Sequence, residues 1–326
     1  MKRIVTLGEL MLRLMPSGYT RFVQADGYGA TFGGAEANVA VALSSLGMDA
    51  AFVTRLPEHE IGQAAVNALR RYGVDTSGIV RGGQRIGVYY AEKGASQRPG
   101  KVIYDREASA FATAPREAFD WDRLLEGADW FHFSGITPAL GDLPLAICRD
   151  ALEAARRRGV TVSCDLNFRS KLWSPARALE VMESLLPYVD YCKDALRFGG
   201  EIPPFEEDLA LAGEMISRFG LRGVAMTRRV SRTANDHTWS GALCTGGGVC
   251  FSREYEMHIV DRIGGGDAFM AGWIYALLDG ASPEEAIGFA AAAGCLDHSL
   301  EGDFLLVSAD EVRALAAGDG SGRVVR

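Results

Sequence analysis

The chain has 326 residues, of which 48% are hydrophobic and 23% charged, as is typical of a soluble globular protein with one large α/β domain or two smaller domains. Its formal net charge of -8 at pH 7 argues against nucleic-acid binding and favours small-molecule partners. No apolar run approaches the roughly 20 residues of a membrane-spanning helix, and the six scattered cysteines predict a reduced, cytoplasmic protein rather than a disulfide framework.

Strand-like and helix-like segments alternate along most of the chain. The predicted strands are residues 3–9, 50–56, 127–135, 160–167 and 223–229, and the clearest predicted helices are residues 33–47 and 143–159. Such alternation predicts an α/β fold with a mostly parallel central sheet and helices on both faces.

Two stretches break this rhythm. Residues 13–32 mix aromatic and polar side chains without a helical period, and residues 85–106 have the pattern of two short strands joined by a Gly/Pro-rich turn. We interpret them as a small β lid, with a simple surface excursion as the alternative. The main domain then comprises residues 1–12, 33–84 and 107–326. Since such β elements often pair between subunits, we expect a homodimer formed through the lid.

Polar residues follow several of the predicted strands. They are Ser134, Gly135, Asp165, Asn167, Arg169, Thr227 and Arg228. In an open parallel sheet, ligands bind beyond the carboxyl ends of the strands. We therefore expect these residues to share one cleft with the glycine-rich segment described next.

The segment "DRIGGGDAFMAG" places Gly264, Gly265 and Gly266 directly before Asp267 and an apolar helix. A dinucleotide fingerprint would need a glycine at Phe269, and neither a P-loop nor the H-R-D loop of protein kinases is present. What remains is a helix N-terminus whose unhindered amides favour an anion. The alternative is that Asp267 merely caps the helix.

A carboxylate beside bound phosphates could serve phosphoryl transfer. This reaction needs positioning, charge stabilisation and a group that accepts the proton of the attacking hydroxyl. Asp267 could be that base, while the amides of Gly264, Gly265 and Gly266 stabilise charge on the transferred group.

The segments "GGAEANVAVALSSLG" and "DRIGGGDAFMAG", in this order, resemble the two signatures of the ribokinase-like (PfkB) carbohydrate kinases over nearly the whole chain. Further segments such as "GELMLRL" and "DLNFRSKLW" are most similar to 2-keto-3-deoxygluconate kinases. The resemblance implies a ribokinase-like fold and transfer of the γ-phosphoryl group of ATP to the 6-hydroxyl of a sugar acid. It also implies Asp267 as catalytic base and residues 264–266 as the anion hole.

The resemblance further implies binding residues. The substrate contacts would be Gly34, Asn38, Tyr89, Tyr104, Arg106, Arg169, Asp267 and Asp303. The nucleotide contacts would be Asn167, Arg169, Thr227, Arg228, Gly264 and Gly266. Arg106 and Arg169 suit a carboxylate, which a guanidinium can bind with two hydrogen bonds. Mg²⁺ is expected with ATP, held chiefly by phosphate oxygens and water, and no residue is assigned to it.

Two departures from the family pattern keep alternatives open. Residues 188–201 lack the usual N-x-x-E motif, although Lys193 and Asp194 lie there without an assigned role. Asp297 stands where a basic residue is expected near the adenine pocket. The alternatives are a kinase for fructose, ribose or another sugar acid, and a catalytically weak sugar- or nucleotide-binding member. A nicotinamide oxidoreductase is disfavoured because the dinucleotide fingerprint fails.

Overall fold

The structure is a computed structural model that describes residues 1–200 and 204–320. Its strands in these residues are β1 (Arg3–Leu7), β2 (Met11–Met15), β3 (Gly29–Gly33), β4 (Asp49–Leu56), β5 (Ile79–Arg81), β6 (Gly87–Glu92), β7 (Lys101–Asp105), β8 (Trp130–Ser134), β9 (Thr161–Asp165), β10 (Tyr191–Lys193), β11 (Gly223–Ser231), β12 (Asp236–Thr245), β13 (Gly248–Phe251) and β14 (Tyr255–His258). Its α-helices are α1 (Ala35–Ser45), α2 (Glu60–Arg70), α3 (Trp121–Leu124), α4 (Ile136–Ala139), α5 (Asp142–Arg158), α6 (Pro175–Leu185), α7 (Phe205–Phe219), α8 (Gly265–Leu278), α9 (Pro283–Asp297) and α10 (Ala309–Ala317). No helix in the described ranges combines the length and apolar character that crossing a membrane requires.

The main sheet has the strand order β13-β12-β11-β10-β9-β8-β1-β4-β5, with β14 paired to β12. Every pairing from β11 to β5 is parallel, while β12, β13 and β14 form an antiparallel edge. The predicted mostly parallel sheet is therefore confirmed. The parallel arrangement brings the carboxyl ends of β1, β8, β9, β10 and β11 to one edge, where the polar residues that follow them can meet.

Helices cover both faces of this sheet, because its strands carry apolar side chains on both faces. In β1, Ile4 belongs to a core cluster that includes residues of α1, α8 and α9. Val5 and Leu7 belong to a second cluster that includes residues of α5, α6 and α7. The two clusters are the two hydrophobic layers of an α/β fold.

Helix ends follow local sequence signals. The predicted end of α5 is confirmed at Gly159, whose φ of +65° is the left-handed conformation that favours glycine at a helix C-terminus. Helix α9 begins at a capping box in which the Ser282 hydroxyl accepts from the amide of Glu285, with Pro283 in the first turn.

Strands β2, β3, β6 and β7 form a separate sheet with the order β3-β2-β6-β7. Its own small core consists of Met11, Tyr89 and Ala91. The strands extend beyond the predicted lid, because boundaries at 12/13 and 32/33 would cut through β2 and β3. The first two strands of this sheet therefore span residues 11–33 rather than 13–32. Pairing in a sheet continues as long as both strands stay extended.

Phe131 tests the central packing. It lies in β8 with no exposed surface and contacts the rings of Trp121 and Phe133. Phe131→Ala leaves a cavity in a close-packed layer and should lower the free energy of unfolding by about 3–5 kcal/mol, measured by urea denaturation. The matched control is Phe251→Ala on the edge strand β13, where the side chain is 61% exposed and the expected change is within about 0.5 kcal/mol. Equal losses in both variants would contradict this packing.

Candidate active site

A cavity of about 930 Å³ lies beyond the carboxyl ends of the parallel strands, between the main sheet and the β lid. This is near the upper end of the range of roughly 300–1,000 Å³ for small-molecule sites. Of the polar residues predicted to share a cleft, Asp165, Asn167 and Arg169 line the cavity, as do Gly264, Gly266 and Asp267. Residues of the β lid, among them Tyr104 and Arg106, line its other wall. The cavity therefore collects groups from both sheets.

The three glycines before Asp267 lie in three different surroundings. Gly264 has a φ of +105°, a conformation that L-residues with a side chain rarely adopt. A Cβ on Gly265 would lie 2.0 Å from Cε1 of His298, whose ring packs directly behind the turn. A Cβ on Gly266 would have only the Lys193 Nζ nearby, at 3.9 Å, so this face of the turn is open to the cavity.

The start of α8 presents free amides to the cavity. Gly264 is the N-cap, and the first helical bond runs from the Ala268 amide to the Gly264 carbonyl at 2.8 Å. The amides of Gly265, Gly266 and Asp267 precede this bond. The Gly264 amide, at the N-cap, makes no intrahelical bond either, so the predicted set 264–266 stays a prediction. These amides and the positive end of the helix dipole favour an anion.

Asp267 does not cap its helix. It is the third helical residue, no side-chain cap bond forms at this end of α8, and its Oδ2 accepts from Asn38 Nδ2 at 2.7 Å. The other end of the Asn38 amide, Oδ1, accepts from the Gly34 amide at 3.1 Å. Asn38 and Gly34, predicted as substrate contacts, thus hold the carboxylate in place across the N-termini of α1 and α8.

Burial raises the pKa of Asp267 to about 8. The Asn38 hydrogen bond and the positive charges of Arg169 and Lys193 pull this pKa down, while the nearby Asp165 charge pushes it up. A carboxylate with a pKa near neutrality is a much stronger base than an exposed one, and it is still ionised in part at physiological pH.

Lys193 lies in the segment that lacks the N-x-x-E motif and contacts two carboxylates. Its Nζ donates to Asp194 Oδ2 at 2.8 Å and to Asp165 Oδ1 at 3.3 Å. Burial opposes the charge of Lys193, yet the two carboxylates raise its pKa above the ordinary value. Asp194 has a φ of +70°, a left-handed conformation that aspartate adopts more readily than most residues with a side chain. Glu201, the end of this segment, lies outside the described residues.

The same segment bears on metal binding. Across residues 1–200 and 204–320, no group of three or more His, Cys, Asp or Glu side chains is arranged to hold a metal ion. Asp165 and Asp194 both border the cavity, but Lys193 already bridges them. The carboxylates at the ends of β9 and β10 are therefore compensated by a lysine of the protein itself.

Arg106 and Arg169 differ in how their charges are compensated. Both Nε and Nη2 of Arg106 donate to Oε2 of the buried Glu9, and the Nε bond is 2.8 Å long. The Arg106 guanidinium also lies 5.6 Å from the Tyr104 ring centre. Arg169 is exposed and has no ion pair within the part of the chain that the structure describes. Arg169 is thus the freer cation on this side of the cavity.

Asp303 and Tyr89 belong to a buried network. The Tyr89 hydroxyl donates to Asp303 Oδ2, and Arg13 donates both to Asp303 and, at 2.6 Å, to Asp261. Both oxygens of Asp303 are therefore engaged by residues of the lid, although it was predicted to contact substrate. A buried charge needs such partners to offset its loss of hydration. Because Arg13 belongs to the β lid and Asp261 precedes α8, the network also connects the lid to the segment before α8.

The cavity does not include two predicted nucleotide contacts. Thr227 is half-buried in β11, and Arg228 is exposed on the opposite face, 5.9 Å from the Phe205 ring centre. The next residue, Arg229, lines the cavity instead. Successive side chains of a strand point to opposite faces. Arg229 therefore faces the cavity, whereas the predicted Arg228 faces away from it.

Asp297 also lies elsewhere than expected. It is buried, and its Oδ2 would be 2.8 Å from a Cβ on Gly264, so it lies behind the glycine turn. Burial raises the pKa of Asp297 well above its usual range. The family's basic residue is therefore replaced by a carboxyl group that packs beneath the start of α8.

Sequence reasoning missed Glu9, Arg13 and Arg229. Glu9 follows the apolar run of β1, so the rule applied to the other strand ends would have found it. No local signal marks Arg13, whose two carboxylate partners lie at Asp261 and Asp303, far away in the sequence.

The profile of the family described as "pfkB family carbohydrate kinase" matches residues 1–303. The 2-dehydro-3-deoxygalactonokinase of Haloferax volcanii is 37% identical, over 97% of this chain and 97% of its own length. The 2-dehydro-3-deoxygluconokinase of Bacillus subtilis is 27% identical, over 92% and 90%. The crystal structure of 2-dehydro-3-deoxygluconokinase from Thermotoga maritima is 46% identical, covers 97% and 98%, and superposes with a TM-score of 0.94. The chain therefore belongs to the pfkB family of carbohydrate kinases.

Proposed function

We propose that this kinase transfers the γ-phosphoryl group of ATP to the 6-hydroxyl of 2-keto-3-deoxygluconate. The observation that carries the proposal is the position of Asp267, a half-buried carboxylate held by Asn38 beside the amides at the start of α8. The similarity to two 2-dehydro-3-deoxygluconokinases and one 2-dehydro-3-deoxygalactonokinase supports the substrate class.

In the proposed reaction, Asp267 accepts the proton of the 6-hydroxyl while the oxygen of that hydroxyl forms a bond to the γ-phosphorus. The bond between the γ-phosphorus and the bridging oxygen breaks, and ADP leaves. The amides of Gly264, Gly265 and Gly266 stabilise negative charge on the transferred group. Mg²⁺ enters with ATP as part of that substrate, bound chiefly by phosphate oxygens and water.

Arg169 and Arg106 would bind the carboxylate of the sugar acid. Arg169 supplies a charge without an acidic partner in the described residues, while Arg106 is oriented by Glu9 and Tyr104. Two guanidinium groups favour an acid over a neutral sugar such as fructose or ribose.

The C4 epimer, 2-keto-3-deoxygalactonate, is a second candidate because the Haloferax relative is named for it. A coupled ATP-consumption assay over both sugar acids, fructose and ribose tests the proposal. Turnover highest with 2-keto-3-deoxygluconate supports it, whereas a higher kcat/KM for the epimer or a neutral sugar overturns the substrate assignment. Binding of ATP without turnover of any of them would instead indicate the catalytically weak member.

Three broader expectations stay predictions. They are a cytoplasmic location, the division into a main domain and a β lid, and a homodimer joined through the lid. The edge strands β3 and β7 of the second sheet have one unpaired side each within the described residues, which is what pairing with a second copy would use.

Asp267→Asn removes the proposed base while keeping size and the Asn38 contact possible. We expect kcat to fall about 10²–10⁴-fold, as loss of a general base typically causes. The control is Asp310→Asn in α10, where the carboxylate is 92% exposed and remote from the cavity. Near-normal turnover of Asp267→Asn would remove this residue from the mechanism.

The pH profile should report the same carboxylate. Since Asp267 acts only when deprotonated, kcat/KM should rise with pH through the pKa of about 8 and then level off. Asn38→Ala removes a hydrogen bond that lowers this pKa, so its midpoint should move to higher pH. Asn67→Ala, an exposed helical asparagine, should keep the parental midpoint. A midpoint unchanged by Asn38→Ala would argue against this role of Asn38.

Arg169→Ala and Arg106→Ala should impair use of the sugar acid more than use of an analogue whose carboxylate is replaced by a hydroxymethyl group. Loss of a charge-assisted hydrogen bond corresponds to about 10–100-fold in kcat/KM for the acid. Arg149→Ala, on the exposed face of α5, serves as control. Equal losses for both substrates would count against a carboxylate contact.

A further inference from the structure

Arg229 is a cation that the fold fixes in place without neutralising it. It is the direct cross-strand neighbour of Trp239 in the β11–β12 pair, and its guanidinium lies 4.9 Å from that ring's centre. Its Nη2 donates to His298 Nε2 at 2.8 Å. Over residues 1–200 and 204–320, Arg229 makes no ion pair with a carboxylate.

The groups that hold Arg229 are themselves rigid. Trp239 Nε1 donates to the Ala291 carbonyl of α9 at 3.1 Å, and its ring packs edge-on against Phe269 of α8. His298 Nδ1 donates to the Gly294 carbonyl, which leaves Nε2 as an acceptor for Arg229. Burial and the neighbouring guanidinium lower the pKa of His298 to about 4, so the ring stays neutral at physiological pH.

This arrangement is costly for a charged group unless a ligand compensates it. Burial, followed by repulsion from Arg262, lowers the pKa of Arg229 to about 10. Both arginines line the cavity. By contrast, two other cations of the cavity wall have acidic partners: Arg106 pairs with Glu9, and Lys193 pairs with Asp165 and Asp194.

Arg229 is also placed beside the proposed anion hole. The ring of His298, on which Arg229 rests, packs directly behind Gly265, where a Cβ would be 2.0 Å from Cε1. One imidazole ring therefore separates the guanidinium from the first turn of α8. Asp267, in the same turn, accepts a hydrogen bond from Asn38 of α1. Asp267 and Arg229 therefore have different neighbours beside the start of α8: Asp267 contacts Asn38, and Arg229 contacts His298.

We propose that Arg229 binds a phosphate of the nucleotide that stays with the leaving ADP, next to the amides of α8, with Arg262 adding to the local positive charge. The proposal rests on the proposed function, because it assumes a nucleoside polyphosphate as the donor. A guanidinium with one Nη fixed still has donors free for two phosphate oxygens. Trp239 and His298 are positioning residues that act through Arg229.

Isothermal titration calorimetry on the full chain tests the proposal without depending on turnover. The probes are ADP, inorganic tripolyphosphate and adenosine. For Arg229→Gln we expect about 10–100-fold weaker binding of ADP and tripolyphosphate, the size of one lost charge-assisted contact, and unchanged binding of adenosine. Arg222→Gln, at an exposed arginine that pairs with Asp190 and does not line the cavity, is the matched control and should bind all three as the parent does.

The outcomes separate the two proposals. If the parent protein binds neither ADP nor tripolyphosphate, the proposed function itself fails. If the parent binds ADP and Arg229→Gln binds it equally well, only the assignment of Arg229 fails. If Arg229→Gln loses ADP and adenosine to the same extent, Arg229 supports the fold and the phosphate contact is refuted. Arg229→Lys keeps the charge and should recover part of the ADP affinity, while no recovery would count against an electrostatic contact.

Discussion

The hydrogen bond between Asn38 and Asp267 joins two helix N-termini that lie far apart in the sequence. It fixes a half-buried carboxylate at the positive end of α8, where the free amides also lie. Removing the carboxylate from water raises its pKa, and the hydrogen bond limits that rise. Much of the rest of the site is arranged around this contact, because the sheet brings α1 and α8 together and the glycine turn leaves the amides accessible.

The cations near the cavity fall into two sets: those that pair with carboxylates of the protein and those that do not. Arg13, Arg106 and Lys193 are paired with buried carboxylates and connect structural elements. Arg169 and Arg229 have no such partner among the described residues. Since an uncompensated cation in a partly buried site favours an anionic ligand, the two free arginines are consistent with a sugar carboxylate on one side and a phosphate chain on the other.

The region that lacks the N-x-x-E motif contains a lysine in contact with two carboxylates. Lys193, the last residue of β10, bridges Asp165 and Asp194 beside the open face of Gly266. The Lys193 ammonium group therefore adds positive charge beside the start of α8. The absence of that motif therefore does not leave this side of the cavity without charged groups.

The sequence by itself determined the strand–helix alternation, the glycine turn and Asp267, because local periodicity and helix-start signals are read over a few residues. Only the tertiary structure decided that Arg229 rather than Arg228 faces the cavity, since the packing of β11 selects the face. It also decided that Asn38 holds Asp267 and that Arg13 joins Asp261 to Asp303. The partner of a buried polar group depends on which distant segments meet, and no local pattern encodes that.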